Sequence, residues 1–403
     1  MSSSEVRKRP IVVAAGLLLV LIAFGVWWLT RPPLPGPLRL TRLSFAQLPG
    51  WSAGNTAPAL EALRRSCGAL AAKAAPDPMG GIYAGTVGDW RAPCAAAATA
   101  KDARAFFEQW FVPFRVSAGD VPDALFTGYY EPQIAGSPTL HGAFRYPVYD
   151  TPGDLISVDL GQFRPSLKGE SIAGRLEGHR LVPYPSRADI DARGLKTAHV
   201  LFYTDDPIAL FFLHIQGSGR VRFDDGRLAR VTYAAQNGQV YTAIGRELVA
   251  RGVPRQGMSL QVIRAWLKSH PQDARQVMES DASYVFFKEE PLGDPALGAK
   301  GAEGVALTPR TSIAVDPRLH AFATPFYIAT ELPGGQAFNR LAVAQDVGGA
   351  IRGPARADIF FGVGAEAERL AGGMNHTGLM VALLPKSVAA RLKDVTDFPS
   401  SPR

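Results

Sequence analysis

Apolar residues recur along the chain in two rhythms. The first is helical. Leu60, Leu63, Cys67 and Leu70 recur at three and four positions, as do Leu260, Ile263, Trp266 and Leu267, and Phe106, Phe107, Trp110 and Phe111 cluster similarly. That spacing marks one buried face of a helix. Helices are therefore expected over residues 56–70 and 102–111 and after Ser259, the last stopped by His270-Pro271. Residues 240–251 read as a helix ended by Gly252, and residues 273–278 as a short one. Residues 77–93 and 292–304 read as loops, the first rich in Gly and Pro.

The second rhythm is that of strands. Between residues 134 and 234 short apolar runs alternate with Gly, Pro and Asp. Asp225-Gly226 joins two alternating runs, 221–223 and 228–233, which is a hairpin signal. Residues 186–191 read as a helical turn, and residues 211–220, FFLHIQGSGR, as an apolar strand with a polar end. From Leu307 to Leu384 the β pattern returns, with strands expected near 312–316, 325–330, 341–346, 358–361 and 379–384. No internal repeat is visible.

Composition narrows the class. The chain has 403 residues, 47% apolar and 20% charged, so it carries a folded core. Its net charge of +7 suggests an anionic partner. The basic residues are scattered rather than striped with aromatics, so nucleic acid is not expected. Arg7, Lys8 and Arg9 precede an uncharged apolar stretch, residues 11–30, long enough to span a bilayer. This reads as an uncleaved anchor that leaves the bulk of the chain outside the cytoplasm; a cleaved signal peptide is the alternative. The proline-rich residues 31–38 read as an extended spacer. The two cysteines, Cys67 and Cys94, are read as a disulfide or as two inert thiols.

Common catalytic signatures are missing: no G-x-S-x-G, no phosphate-binding loop, no H-E-x-x-H, no paired C-x-x-C. The seven histidines are scattered, and neither a metal nor a cofactor is expected. The acidic pairs Asp205-Asp206 and Asp224-Asp225 read as solvated. What remains are aspartates at expected strand ends. Asp346 and Asp358 stand twelve residues apart, bracketing Gly348-Gly349 and Gly353-Pro354, and Asp316 ends a similar run. The simplest picture is strand, tight glycine connection, strand. An apolar setting or a neighbouring carboxylate raises a carboxyl pKa and fits it for acid catalysis. Turn capping by the same aspartates is the competing reading.

FTGYYEP at 126–132, FFLHIQGSGR at 211–220, SYVFF at 283–287 and DVGGAIRGPARADIFFG at 346–362 together resemble the membrane-bound lytic transglycosylase A (MltA) family. The likeness covers roughly residues 41–385. It implies a mainly β fold: a six-stranded double-psi β-barrel domain with accessory helices, and a smaller inserted β domain. The expected division is anchor and linker over 1–40, barrel domain over 41–133 with 235–390, including a three-aspartate module over about 307–385, and insert over 134–234.

The resemblance also implies an enzyme that cleaves the MurNAc-β-1,4-GlcNAc bond of peptidoglycan and leaves a 1,6-anhydromuramoyl end. Asp358 aligns with the family's single acid and base, with Asp346 as its electrostatic neighbour. Tyr129, Tyr130, Gln216, Ser218, Tyr284 and Asp316 are the expected substrate-binding residues. The partners would be glycan strands, the membrane through the N-terminal helix, and cell-wall synthesis or division proteins, in the periplasm of a Gram-negative bacterium. Glu131, a further acid in FTGYYEP, keeps a muramidase-type hydrolase open, and a non-catalytic peptidoglycan-binding protein is the third reading.

Overall fold

The β rhythm of the C-terminal third resolves into a ring. The computed structural model describes residues 36–167 and 170–398. In chain order the ring strands are β1 (Ala124–Glu131), β2 (Ser312–Ala314), β3 (Pro325–Glu331), β4 (Ala337–Asp346), β5 (Arg356–Val363) and β6 (Asn375–Pro385). Around the ring they run β3, β4, β2, β5, β1, β6, and β6 pairs back onto β3. The molecule is thus mainly β, built on a closed six-stranded barrel with accessory helices.

Both faces of the ring are buried, as Phe326, Tyr327 and Ile328 on β3 show. The outer face is covered by helices Ala57–Ala71, Val87–Thr99 and Ala103–Trp110, whose Leu60, Leu63, Trp90 and Phe107 join the barrel core. Burial of apolar surface of this kind stabilises by about 25 cal/mol per Å². Cys67 and Cys94 form a disulfide that staples the first two of these helices, which decides between the two readings of that pair. Strand β6 also carries an outer extension through Phe111–Ala118, Leu38–Arg42 and Val395–Phe398.

Beyond β1 the chain enters a second set of sheets. Gln133–Gly136, Ser218–Phe223, Leu228–Gln236 and Val285–Glu290 form a four-stranded sheet with its own core around Val221, Val231 and Phe287. Tyr146–Tyr149 pairs with Val200–Thr204, and Ile156–Asp159, Ser171–Glu177 and Arg180–Pro183 make a three-stranded sheet.

Several local expectations change. Residues 207–216 are a helix, not a strand. Asp206 caps it, accepting from the Ile208 and Ala209 amides at 2.8 and 3.0 Å, so it is not a solvated acid. Gly217 closes the helix at φ +74, a conformation that favours glycine. Residues 77–93 are not all loop: Thr86 and Asp89 form a capping box that starts a helix at Val87. The expected helix over 240–251 shortens to Gly245–Ala250. Finally, β4 and β5 are not neighbours; the three-residue β2 lies between them. The apolar stretch at residues 11–30 lies outside the described residues. Among those described, no helix is long and apolar enough to cross a membrane.

Candidate active site

The insertion of β2 is what builds the site. Ala314, its last residue, pairs with Asp346 on one side and Asp358 on the other. Strand β4 is parallel to β2 and β5 antiparallel, so both aspartates arrive at one end of the ring. On the far side of β5, strand β1 runs parallel and sets Thr127 against Asp358. Residues two apart on a strand share a face, so Thr127 and Tyr129 stand in a row facing the two carboxylates.

The hydrogen bonds load the pair unequally. Asp346 receives three donors: the Tyr129 hydroxyl on Oδ2 at 2.8 Å, and the Ala302 and Val347 amides on Oδ1 at 3.0 and 2.9 Å. Asp358 receives one, the Thr127 hydroxyl on Oδ1 at 2.6 Å. Arg356 donates to the same Thr127 oxygen at 2.7 Å and to the Ala357 carbonyl at 2.8 Å. Burial pushes the Asp358 carboxyl up to about 6; Thr127 and Arg356 pull it down, and the charge of Asp346 adds to the rise. Burial also raises Asp346, against the pull of Tyr129 and the two amides. Burial, reinforced by Asp346, holds the Tyr129 hydroxyl well above its ordinary range, so it stays a donor.

Asp346 accepts from three donors, while Asp358, pushed up to about 6, is placed to exchange a proton near that pH. Such an arrangement suits proton transfer to and from a bound substrate. Among the described residues no cluster of three or more His, Cys, Asp or Glu could hold a metal ion.

The other expected residues fall at varied distances from this pair in the fold. Asp316 is fully buried in the turn after β2. Burial raises its pKa, but Arg318, bonded at 3.0 and 2.7 Å, and the Gly353 amide at 3.0 Å outweigh that and hold it low. Through Gly353 it braces the connection between β4 and β5. Tyr130, on the opposite face of β1 from Tyr129, is 2% exposed, and its amide donates to Gln216 Oε1 at 3.1 Å. Gln216 ends its helix and Ser218 begins the next strand, both half-buried beside the end of β1. Tyr284 is 2% exposed, its ring packed against His214 at 4.3 Å and Phe286 at 5.5 Å.

Glu131 is fully buried, gripped by Arg230 at 2.6 Å and Arg220 at 3.2 Å. It lies outside the carboxylate pair, with both oxygens taken by guanidinium groups. Three site residues went unread in the sequence: Thr127, Arg356 and Ala302. The first two had a signal, since each stands two positions from an expected site residue on a strand. Ala302, in a glycine-rich loop, had none.

A family model for the MltA specific insert domain matches residues 125–288, and one for the 3D domain matches residues 311–384. The membrane-bound lytic murein transglycosylase A of Escherichia coli K12 is 36% identical over 272 residues, which are 65% of this chain and 66% of that protein, just under two thirds of its length. The crystal structure of a membrane-bound lytic murein transglycosylase from Agrobacterium tumefaciens superposes with a TM-score of 0.77 at 32% identity, covering 87% of this chain and 99% of that one. The structure of E. coli MltA with bound chitohexaose matches at a TM-score of 0.62 and 28% identity, covering 88% of this chain and 93% of that one.

Proposed function

The chain belongs to the membrane-bound lytic murein transglycosylase A family, and from that premise we propose that it is a peptidoglycan lytic transglycosylase. It cleaves the MurNAc-β-1,4-GlcNAc bond and leaves a 1,6-anhydromuramoyl end, with Asp358 as the single acid and base. The observation that carries this reading is the unequal carboxylate pair.

Glycosidases that use water or a covalent intermediate need two working carboxylates. Here Asp346 is tied down by three donors. That suits it to offset positive charge growing on the sugar ring rather than to attack or to direct water. Asp358, protonated below about pH 6, gives its proton to the leaving glycosidic oxygen. Once ionised, it takes the proton of the C6 hydroxyl as that oxygen closes on C1. The nucleophile comes from the substrate itself, so attack is intramolecular and gains from proximity. Atoms balance: one proton is lent and returned, the glycosidic bond breaks, the C1–O6 bond forms, and no water is consumed.

The glycan would lie over the end of the ring that carries the pair. Tyr129 stands beside Asp346 at its floor, and Gln216 and Ser218 supply polar contacts from the insert side. Tyr130, Tyr284 and Asp316 serve this groove from behind, by packing and by bracing. The fold reading that goes with this is a double-psi barrel over 41–133 with 235–390 and an insert over 134–234. The passage of β2 between the antiparallel strands β4 and β5 supports the first part. The insert's sheet reaches beyond that stretch, since it takes Val285–Glu290, from the range given to the barrel domain, as its fourth strand. The enzyme would work in the periplasm, tethered through residues 11–30, on glycan strands and near cell-wall synthesis or division proteins. The binding of chitohexaose by the E. coli relative supports a glycan ligand.

Mass spectrometry of fragments released from purified peptidoglycan tests the chemistry. Wild-type protein is expected to release anhydro ends, lighter by one water than hydrolytic ends. Asp358→Asn should cut the rate by about 10²–10⁴-fold, the usual contribution of a general acid, with the folded state intact by circular dichroism. Hydrated ends from the wild type, or full activity of the variant, would overturn the reading.

A further inference from the structure

We propose that Glu303 is a positioning residue for Asp346, a largely buried acid that anchors the turn whose amide holds that carboxylate. The proposal rests on the carboxylate pair being the reactive centre. Residues 301–304 form a tight turn, closed by the Gly304 amide on the Gly301 carbonyl at 2.8 Å. The turn lies directly on the end of β4. The Glu303 amide donates to the Gln345 carbonyl at 3.1 Å, and the Ala302 amide to Asp346 Oδ1 at 3.0 Å. A Cβ on Gly301 would sit 2.5 Å from that same Gln345 carbonyl, so no side chain fits there.

The Glu303 side chain points inward. Its Oε2 accepts from Ser66 Oγ at 2.6 Å, while its Oε1 is buried with no partner among the described residues. Ser66, on helix Ala57–Ala71, accepts in turn from Gln345 Nε2 at 2.9 Å. Gln345 Nε2 also donates to the Ala62 carbonyl at 2.9 Å, and its Oε1 accepts from Ser312 Oγ at 2.5 Å. Turn, helix, β4 and β2 therefore share one polar network at the root of the pair. Among the described residues, none of Glu303, Ser66, Gln345 and Ser312 hydrogen-bonds to the Asp358 side chain.

A buried carboxylate with one donor and one bare oxygen is costly as an anion and far less so as a neutral acid. Burial pushes the Glu303 carboxyl up to about 7, against weaker pulls from Ser66 and from Lys73, the charged group that acts on it from beyond the helix end. Arg65, beside Ser66, gives its guanidinium to Thr308 instead. Asp346 is held by the adjacent peptide. Ionisation drives the Glu303 side chain towards water and draws the Ala302 amide off Asp346.

The test compares wild type, Glu303→Gln and Glu303→Ala. Glutamine keeps the shape without the charge, so the ratio of its kcat to that of wild type should rise by up to about tenfold between about pH 6 and pH 8, with KM little changed. Alanine should lower kcat at every pH. A glutamine ratio flat across that range, or an alanine variant with wild-type kcat, would overturn the proposal. Thermal unfolding reads the anchor without glycan. The folded-state pKa lies above that of the unfolded chain, so the stability Glu303 contributes is present at low pH. It is lost as pH climbs from the ordinary glutamate value of about 4.3 to about 7. The Tm advantage of Glu303→Gln should widen across that window and then level off; a constant difference counts against the buried acid. Absence of cleavage by wild type overturns the functional reading, and the melting difference then decides on the anchor alone.

Discussion

At the scale of single residues, the site works by contrast between two chemically identical groups. Asp346 and Asp358 differ in what reaches them: three donors against one. In the proposed mechanism Asp358 acts in its protonated form, so activity should be greatest below about pH 6 and fall as pH rises through that value. Thr127 lowers the Asp358 pKa by favouring its charged form. Thr127→Val should therefore move the alkaline fall to higher pH, which a pH–rate profile of kcat/KM would show. A fall at unchanged pH would deny the hydroxyl that effect. The carboxylates were legible in the sequence because they follow or precede apolar strand residues. Thr127 was not, because its partner lies 231 positions away and only the parallel register of β1 and β5 joins them.

At the scale of elements, the misread stretch is instructive. Residues 207–216 are apolar almost all round, with Phe211, Phe212 and Leu213 buried in turn. A helix wrapped on every side loses the amphipathic rhythm that separates it from a buried strand. Its ends carried the decisive signals: Asp206-Pro207 at the start and Gly217 at the close. Asp206→Ala should cost about 1 kcal/mol, the usual value for a lost N-cap, measured by urea unfolding. An unchanged midpoint would mean that packing alone holds the helix. The β2 strand shows the opposite limit. The strand expected near 312–316 is present as Ser312–Ala314, but nothing in so short a run tells that it lies between β4 and β5, and that place decides where both aspartates stand.

At the scale of the whole molecule, the barrel and the four-stranded sheet meet at a charged knot. Glu131 ends β1 with no exposed surface, and Arg220 and Arg230 reach it from neighbouring strands of the four-stranded sheet. Both guanidiniums also donate to carbonyls of the 292–297 segment, which leads from that sheet back to the ring. Glu131→Gln leaves two buried cations without a counter-charge and should destabilise by about 3–5 kcal/mol, read as a lowered urea midpoint. A loss of unfolding free energy below about 1 kcal/mol would mean the knot opens to water. The fold class was legible in the sequence because strand runs dominate both halves. The six-stranded ring was legible only through the family resemblance and not from strand periodicity, because β1 pairs with segments more than two hundred residues away.

That pairing has a consequence in time. Strand β1 is made early, but it has no ring neighbours until β5 and β6 arrive from the far end of the chain. Contacts of such long sequence separation form late and slowly. A nascent chain, or one truncated before β5, holds Thr127 with no Asp358 to face. Order of synthesis therefore delays the site: Thr127 meets Asp358 only when β5 is in hand, 231 positions after Thr127 itself.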